Sequence, residues 1–257
     1  SISSTASAST SGWASAGRFH HAQSQIHRFL NCIGGYTGSR DTYSYAAAEV
    51  IVPHVLGSFT KLLPQHTSWA NIASDCEMFV AFGGLALGNG QMGNGGTGCH
   101  VQREGFAAAV AAGVEFVNIS PRELDLEAPA KPRTIQLRPN SDTALMLALC
   151  QTLRAEGLVD DGFLARYTEG YDIFGAYLDG KTDGIRKDAA WASGLTGVPT
   201  DEILGLARTM ASKRTIVSIS WSLTRQQYGE QPFWAAISLA AMLGQIGLPG
   251  GGFGFGY

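Results

Sequence analysis

Two kinds of apolar run alternate along the chain. The runs Cys76 to Phe82, Val114 to Ile119 and Thr215 to Ser220 are continuous and rich in branched and aromatic residues, as expected of strands buried on both faces of a parallel sheet. Other runs are spaced for helices. Phe19, Gln23, Ile26, Phe29 and Leu30 share a near-helical spacing within 17–33, which closes on Gly34-Gly35, a glycine stop. An apolar stretch from Tyr45 to Val52 stops before Pro53. The alanine-rich segment Arg103 to Ala112 reads as a helix ending at Gly113, so residues 76–119 form a strand-helix-strand unit. Thr134 to Leu137 is a short third strand. Asn140 or Ser141 can cap a helix over 143–154, with Leu145, Leu149 and Thr152 on one face.

Helical segments over 161–167, 171–178, 188–193 and 200–211 make residues 158–212 a helical excursion. After the strand from Thr215, a polar segment with Trp221 and Arg225 leads into a helix running from about Pro232 to Gln245. Strands and helices alternate throughout. The expected fold class is therefore α/β, a mostly parallel sheet with helices on both faces in a Rossmann-like arrangement. No linker or internal repeat divides it: residues 1–12 read as a Ser/Thr-rich leader and 13–257 as a single domain.

Composition narrows the function. The chain has 257 residues, 45% of them hydrophobic and 15% charged, with a formal charge of -3. This is enough for a sizeable core and leaves no basic field for phosphate backbones, so nucleic acid is not an expected partner. No apolar run approaches the roughly 18 residues that span a bilayer. Cys32, Cys76, Cys99 and Cys150 include no CxxC pair and read as buried free thiols, although two disulfides remain arithmetically open. The six histidines form no HExxH spacing, and no GxSxG elbow is present. Gly88, Gly90 and Gly93 match GxGxxG, the spacing of a nicotinamide-binding loop, but the preceding strand ends about five residues too early, near Phe82. A glycine-rich loop around another ligand suits the spacing better.

The strand ends carry more information. Ile119-Ser120 closes one strand, Arg138-Pro139-Asn140-Ser141-Asp142 follows the next, and Trp221-Ser222 with Arg225 follows another. Carboxyl ends of an open parallel sheet converge on one crevice, so these residues can jointly grip a nucleotide. Asp142 would accept hydrogen bonds from a guanine edge or a ribose, and Arg225 would meet phosphate with a bidentate fork. Taken singly each has an ordinary explanation: a first-turn acid, a solvated charge, a core cap. Their joint placement after different strands favours a ligand.

At these residues the sequence resembles the bis-molybdopterin guanine dinucleotide enzymes of the dimethyl sulfoxide reductase family, which includes the biotin sulfoxide and trimethylamine N-oxide reductases. Ordered segments carry the resemblance over nearly the whole chain: 12–20, 47–57, 65–69, 138–147, 221–225, 229–231 and 244–254. It implies a molybdenum centre held by two pterin dithiolenes and one protein oxygen, which takes an oxygen atom from an S-oxide or N-oxide and is regenerated by two electrons and two protons. The cofactor carries that chemistry, and the protein fixes and shields it.

Carried over by position, the resemblance implies dinucleotide contacts at Gly88, Asn89, Ile119, Ser120, Asn140, Ser141, Asp142, Trp221, Ser222 and Arg225. An ungapped match puts Thr10 where the family has its metal-ligating serine, with Ser11 beside it. Gly88 stands where family members usually carry a lysine. Family members are also much longer than this chain and build the cleft from several domains. The expectation is thus a fragment, an excised domain or a divergent short protein, inactive alone, whose partners are an S-oxide or N-oxide, the remaining domains of a parent enzyme and an electron-donor protein. The alternatives are a non-catalytic nucleotide-binding module and a nicotinamide-dependent dehydrogenase. The family includes both periplasmic and cytoplasmic members.

Overall fold

A computed structural model describes residues 22–37, 44–87, 101–123, 126 and 131–257. It contains a five-stranded, wholly parallel sheet in the order β3-β2-β1-β4-β5. The centre is β1 (Met78–Phe82), every residue of which is buried. Its neighbours are β2 (Glu115–Ile119) and β4 (Thr215–Ile219), with β3 (Arg133–Ile135) and β5 (Gly252–Phe255) at the edges. The alternation of side chains along each strand divides the interior in two. Met78, Val80, Phe82, Val117, Ile119, Val217 and Ile219 face the larger core, while Phe79, Ala81, Phe116 and Ile216 face the smaller one.

Among the described residues four helices precede the sheet: α1 (Ala22–Cys32), α2 (Ala46–Leu56), α3 (Phe59–Gln65) and α4 (Trp69–Asp75). Trp69 stacks on Phe79, so α4 covers the smaller core together with α5 (Val101–Ala111), whose Phe106 meets Phe116. On the opposite face lies α6 (Asp142–Ala155), buried almost along its whole length. The expected helical excursion then follows as α7 (Asp161–Tyr167), α8 (Tyr171–Leu178), α9 (Ala189–Thr196) and α10 (Thr200–Ser212), and α11 (Glu230–Met242) follows β4. No helix among the described residues is long and apolar enough to cross a membrane.

Some expectations need correction. The second helix does not stop at Pro53; it runs through it to Leu56. The proline removes one donor, but Ala48 and Val52 are fully buried in the larger core, and that packing outweighs one lost hydrogen bond. The last helix starts at Glu230, which places Pro232 in its first turn. Ser141 stands at the N-cap of α6 without capping it, because its hydroxyl donates back to the Arg138 carbonyl at 2.6 Å. Cys76 and Cys150 are buried free thiols, but Cys32 is exposed. The glycine end 247–257 contains β5, and α3 and α4 were not anticipated.

Candidate functional site: the crevice at the carboxyl edge of the sheet

The chain leaves β1 for β2 and β3 on one side and returns, after the helical excursion, to β4 on the other. The strand order therefore reverses between β1 and β4, and such a reversal opens a crevice beyond the carboxyl ends. The strand ends meet closely there. The Gly83 amide donates to the Ile119 carbonyl and the Ser220 amide to the Phe82 carbonyl, both at 2.8 Å. Gly83 has φ +81, and a Cβ on it would lie 2.8 Å from the Ser220 Cβ and collide with Leu223. Only glycine allows this approach.

Of the residues singled out from sequence, Ile119, Ser120, Asn140, Ser141, Asp142, Trp221, Ser222 and Arg225 are described, and all lie at or just beyond carboxyl ends. Gly88, Asn89, Thr10 and Ser11 lie outside the described residues. The Ile119 side chain belongs to the core, so any contact from it must come through the backbone. Ser120 is buried and its hydroxyl accepts from the Arg122 amide at 3.3 Å. Trp221 opens a short 3-10 turn, Trp221–Thr224. Its ring lies among Tyr45, Phe255 and Phe59, with centroids at 4.5, 5.1 and 6.0 Å. The indole thus builds the apolar floor of this end of the crevice. Above it the Ser222 hydroxyl donates to the Ser220 hydroxyl at 3.0 Å. Arg225 is exposed and its guanidinium has no partner among the described residues.

At the other end the β3–α6 loop is held by Arg138. One of its guanidinium nitrogens donates to the Gly194 and Leu195 carbonyls at 2.7 and 3.1 Å, and its backbone amide donates to the Thr196 carbonyl at 2.8 Å. These carbonyls belong to the last turn of α9, which lacks intrahelical donors and favours a cation. The clamp precedes Asn140, whose φ of +66 turns the chain so that Asp142 begins α6. Asp142 is buried, and burial pushes its carboxyl up to about 6, relieved only by a hydrogen bond from its own backbone amide. A helix N-terminus favours the carboxylate, but desolvation wins here. The neighbouring cation cannot compensate, because Arg138 is committed to α9. Sequence reading missed Ser220 and Gly83, and it placed Arg138 at a strand end without its link to α9; the Gly83-Gly84 pair directly after a strand was the available signal for the close approach.

Comparison with known proteins assigns this chain to a family. The family model of the molybdopterin oxidoreductases matches residues 3–257. The chain belongs to the molybdopterin oxidoreductases. It is 44% identical over 246 residues to the biotin sulfoxide reductase of Cereibacter sphaeroides, covering 96% of this chain and 33% of that protein. It is 42% identical over 254 residues to trimethylamine-N-oxide reductase 1 of Escherichia coli K12, and 40% identical over 254 residues to the dimethyl sulfoxide/trimethylamine N-oxide reductase of Rhodobacter capsulatus; each match covers 96% of this chain and 30% of the relative. This molybdopterin oxidoreductase chain therefore spans about a third of its curated relatives' length. Acetylene hydratase from Pelobacter acetylenicus shares the fold, with a TM-score of 0.60 at 21% identity over 86% of this chain and 27% of that one.

The family implies a molybdopterin cofactor with molybdenum, and the crevice can be tested against it. A buried carboxyl without a donor beyond its own amide stands at one end and an unpaired guanidinium at the other. The β3 and β4 ends are three strand spacings apart, about 14 Å. Such a crevice suits an extended ligand with N–H donors at one end and anionic groups at the other, and in that sense the residues fit.

Proposed function

We propose that this chain is the dinucleotide-gripping α/β domain of an S-oxide or N-oxide reductase and that it holds the guanine dinucleotide form of the molybdopterin cofactor. The observation that carries the reading is Asp142. Burying a carboxyl without partners is costly, and a guanine base repays that cost because its ring N–H and exocyclic amine donate in parallel to a carboxylate. Arg225, at the far side of the reversal, would take the phosphates. Ser220 and Ser222 offer hydroxyls to the same stretch, and Trp221 shields its floor from water. When bound, the molybdenum supplies two-electron oxygen-atom exchange with the oxide. This chain's residues bind and orient the dinucleotide that tethers it. The names of the biotin sulfoxide and trimethylamine N-oxide reductases support the oxide class.

Calorimetry of the chain with GDP, IDP and ADP tests the grip. GDP should bind at least about tenfold more tightly than ADP, with IDP between them because it lacks the exocyclic amine, and Asp142→Ala should erase the ranking. Equal affinities for the three, or none, would sink the reading. In the longer parent polypeptide, molybdenum content and oxide-dependent oxidation of a reduced dye are the matching measurements.

A further inference from the structure

The segment after the 3-10 turn contains a conformation that its sequence does not favour. Tyr228 sits in the left-handed region at φ +57, where glycine and asparagine are tolerated and a bulky residue is strained. The turn around it is tight: the Tyr228 carbonyl accepts from the Gln231 amide at 2.9 Å, and a Cβ on the next residue, Gly229, would lie 2.6 Å from the Thr224 carbonyl carbon. The strain gains the fold nothing visible, because the Tyr228 side chain is 68% exposed. Every other described tyrosine has a ring, cation or hydrogen-bond partner, as with Tyr36 on His27, Tyr45 on Trp221, Tyr167 on Phe163, Tyr171 with Arg154, Tyr177 under Lys187 and Tyr257 with Thr67. Tyr228 has none. Three residues earlier stands Arg225, likewise unpartnered. A strained, unpartnered aromatic beside an unpartnered cation, at the carboxyl edge of the sheet, marks a ligand contact better than a packing feature.

We infer that Tyr228 is a stacking platform for the planar nitrogen heterocycle of a ligand whose phosphate Arg225 holds. The inference rests on the crevice being a dinucleotide site and adds a recognition element to it. The ring is a pterin, flat and fused, because the guanine is already taken by Asp142 at the other end of the crevice. Stacking on a tyrosine face suits it without a hydrogen-bond code.

The test uses the chain with three probes: inorganic pyrophosphate, GDP and neopterin. Tyr228→Ala should weaken neopterin by about tenfold or more while leaving pyrophosphate and GDP unchanged, and Tyr228→Phe should stay within about threefold of the parent. Arg225→Ala should weaken pyrophosphate and GDP together. Tyr228→Gly relieves the left-handed backbone and should melt about 2–4 °C higher while losing neopterin affinity. An unchanged neopterin affinity in Tyr228→Ala, or a lower melting temperature in Tyr228→Gly, would overturn the inference. If GDP binding depends on Asp142 and Arg225 while neopterin binding does not depend on Tyr228, only this inference falls. If the parent chain binds none of the three probes, the dinucleotide reading falls with it.

Discussion

At Asp142 the stability of the fold and the proposed ligand contact make opposite demands. Its carboxyl climbs from an ordinary 3.8 to about 6 because burial penalises the charge. Below about pH 4 it is protonated in both folded and unfolded chains and costs nothing; above about pH 6 it is ionised in both, and the fold carries the full burial penalty, about 3 kcal/mol. Stability should therefore fall between pH 4 and pH 6 in the free chain. Asp142→Asn should raise the melting temperature at pH 7.5, by an amount equivalent to about 1–3 kcal/mol, and the difference from the parent should vanish at pH 4. If the two proteins melt alike at both values, the carboxyl is not desolvated as described. A ligand offering N–H donors prefers the ionised form, so GDP affinity should rise with pH through about 6 and level off above it, with proton release on binding near pH 6 detectable from calorimetry in buffers of different ionisation enthalpy. Gly83 makes an opposite kind of demand. Gly83→Ala forces a Cβ into Ser220 and Leu223 at a positive φ, which should cost about 2–4 kcal/mol in a denaturant titration.

Between elements, the main link of the site is the one from the β3–α6 loop to α9. Arg138→Met keeps much of the side chain's bulk and removes its donors to the Gly194 and Leu195 carbonyls. The expected loss is about 1–2 kcal/mol, with hydrogen exchange accelerating both in the last turn of α9 and in the loop leading to Asp142. Acceleration confined to one of the two would show that the clamp does not couple them. This link also marks where sequence reading stops. Met78–Phe82, Glu115–Ile119 and Thr215–Ile219 were legible as strands because unbroken apolar runs suit a sheet covered on both faces. The helices 161–167 and 171–178 were legible because their periodicity starts and stops within polar or glycine boundaries. The α3 and α4 helices were not: α3 carries a proline in its last turn, and α4 runs almost directly into the strand from Met78. Gly252–Phe255 reads as a glycine loop until its backbone pairs with β4. In the site, polar residues after strands could be listed from the sequence alone, but Arg138 reaches a helix end 56 residues away. The same is true of Trp221, whose ring rests against Tyr45 and Phe255.

At the scale of the molecule, the two ends of the chain contribute unequally to the fold. Within the described residues the interior begins with Leu30, while Ile26 and Phe29 on α1 and Ile33 just after it are exposed. The last residues are integral to the interior. Phe255 is 2% exposed, and its ring packs on Phe59 and Trp221, while Tyr257 meets Trp69 and Phe79 and its hydroxyl donates to the Thr67 carbonyl. Residues 13–257 are proposed to fold as one unit, with 1–12 serving the metal through Thr10 or Ser11. On that proposal, deleting 1–12 should leave the melting temperature within about 1 °C. Deleting 252–257 removes a strand and three large aromatic side chains, Phe253 and Phe255 from the larger core and Tyr257 from the smaller, which should cost at least about 4 kcal/mol and leave little cooperative unfolding. The functional order should be the reverse. In the longer parent enzyme, replacing Thr10 and Ser11 together with alanine should strip oxide reduction and weaken molybdenum retention while nucleotide binding by this domain persists. Retained metal and activity in that double variant would remove both positions from the metal site without touching the roles proposed for Asp142 and Arg225.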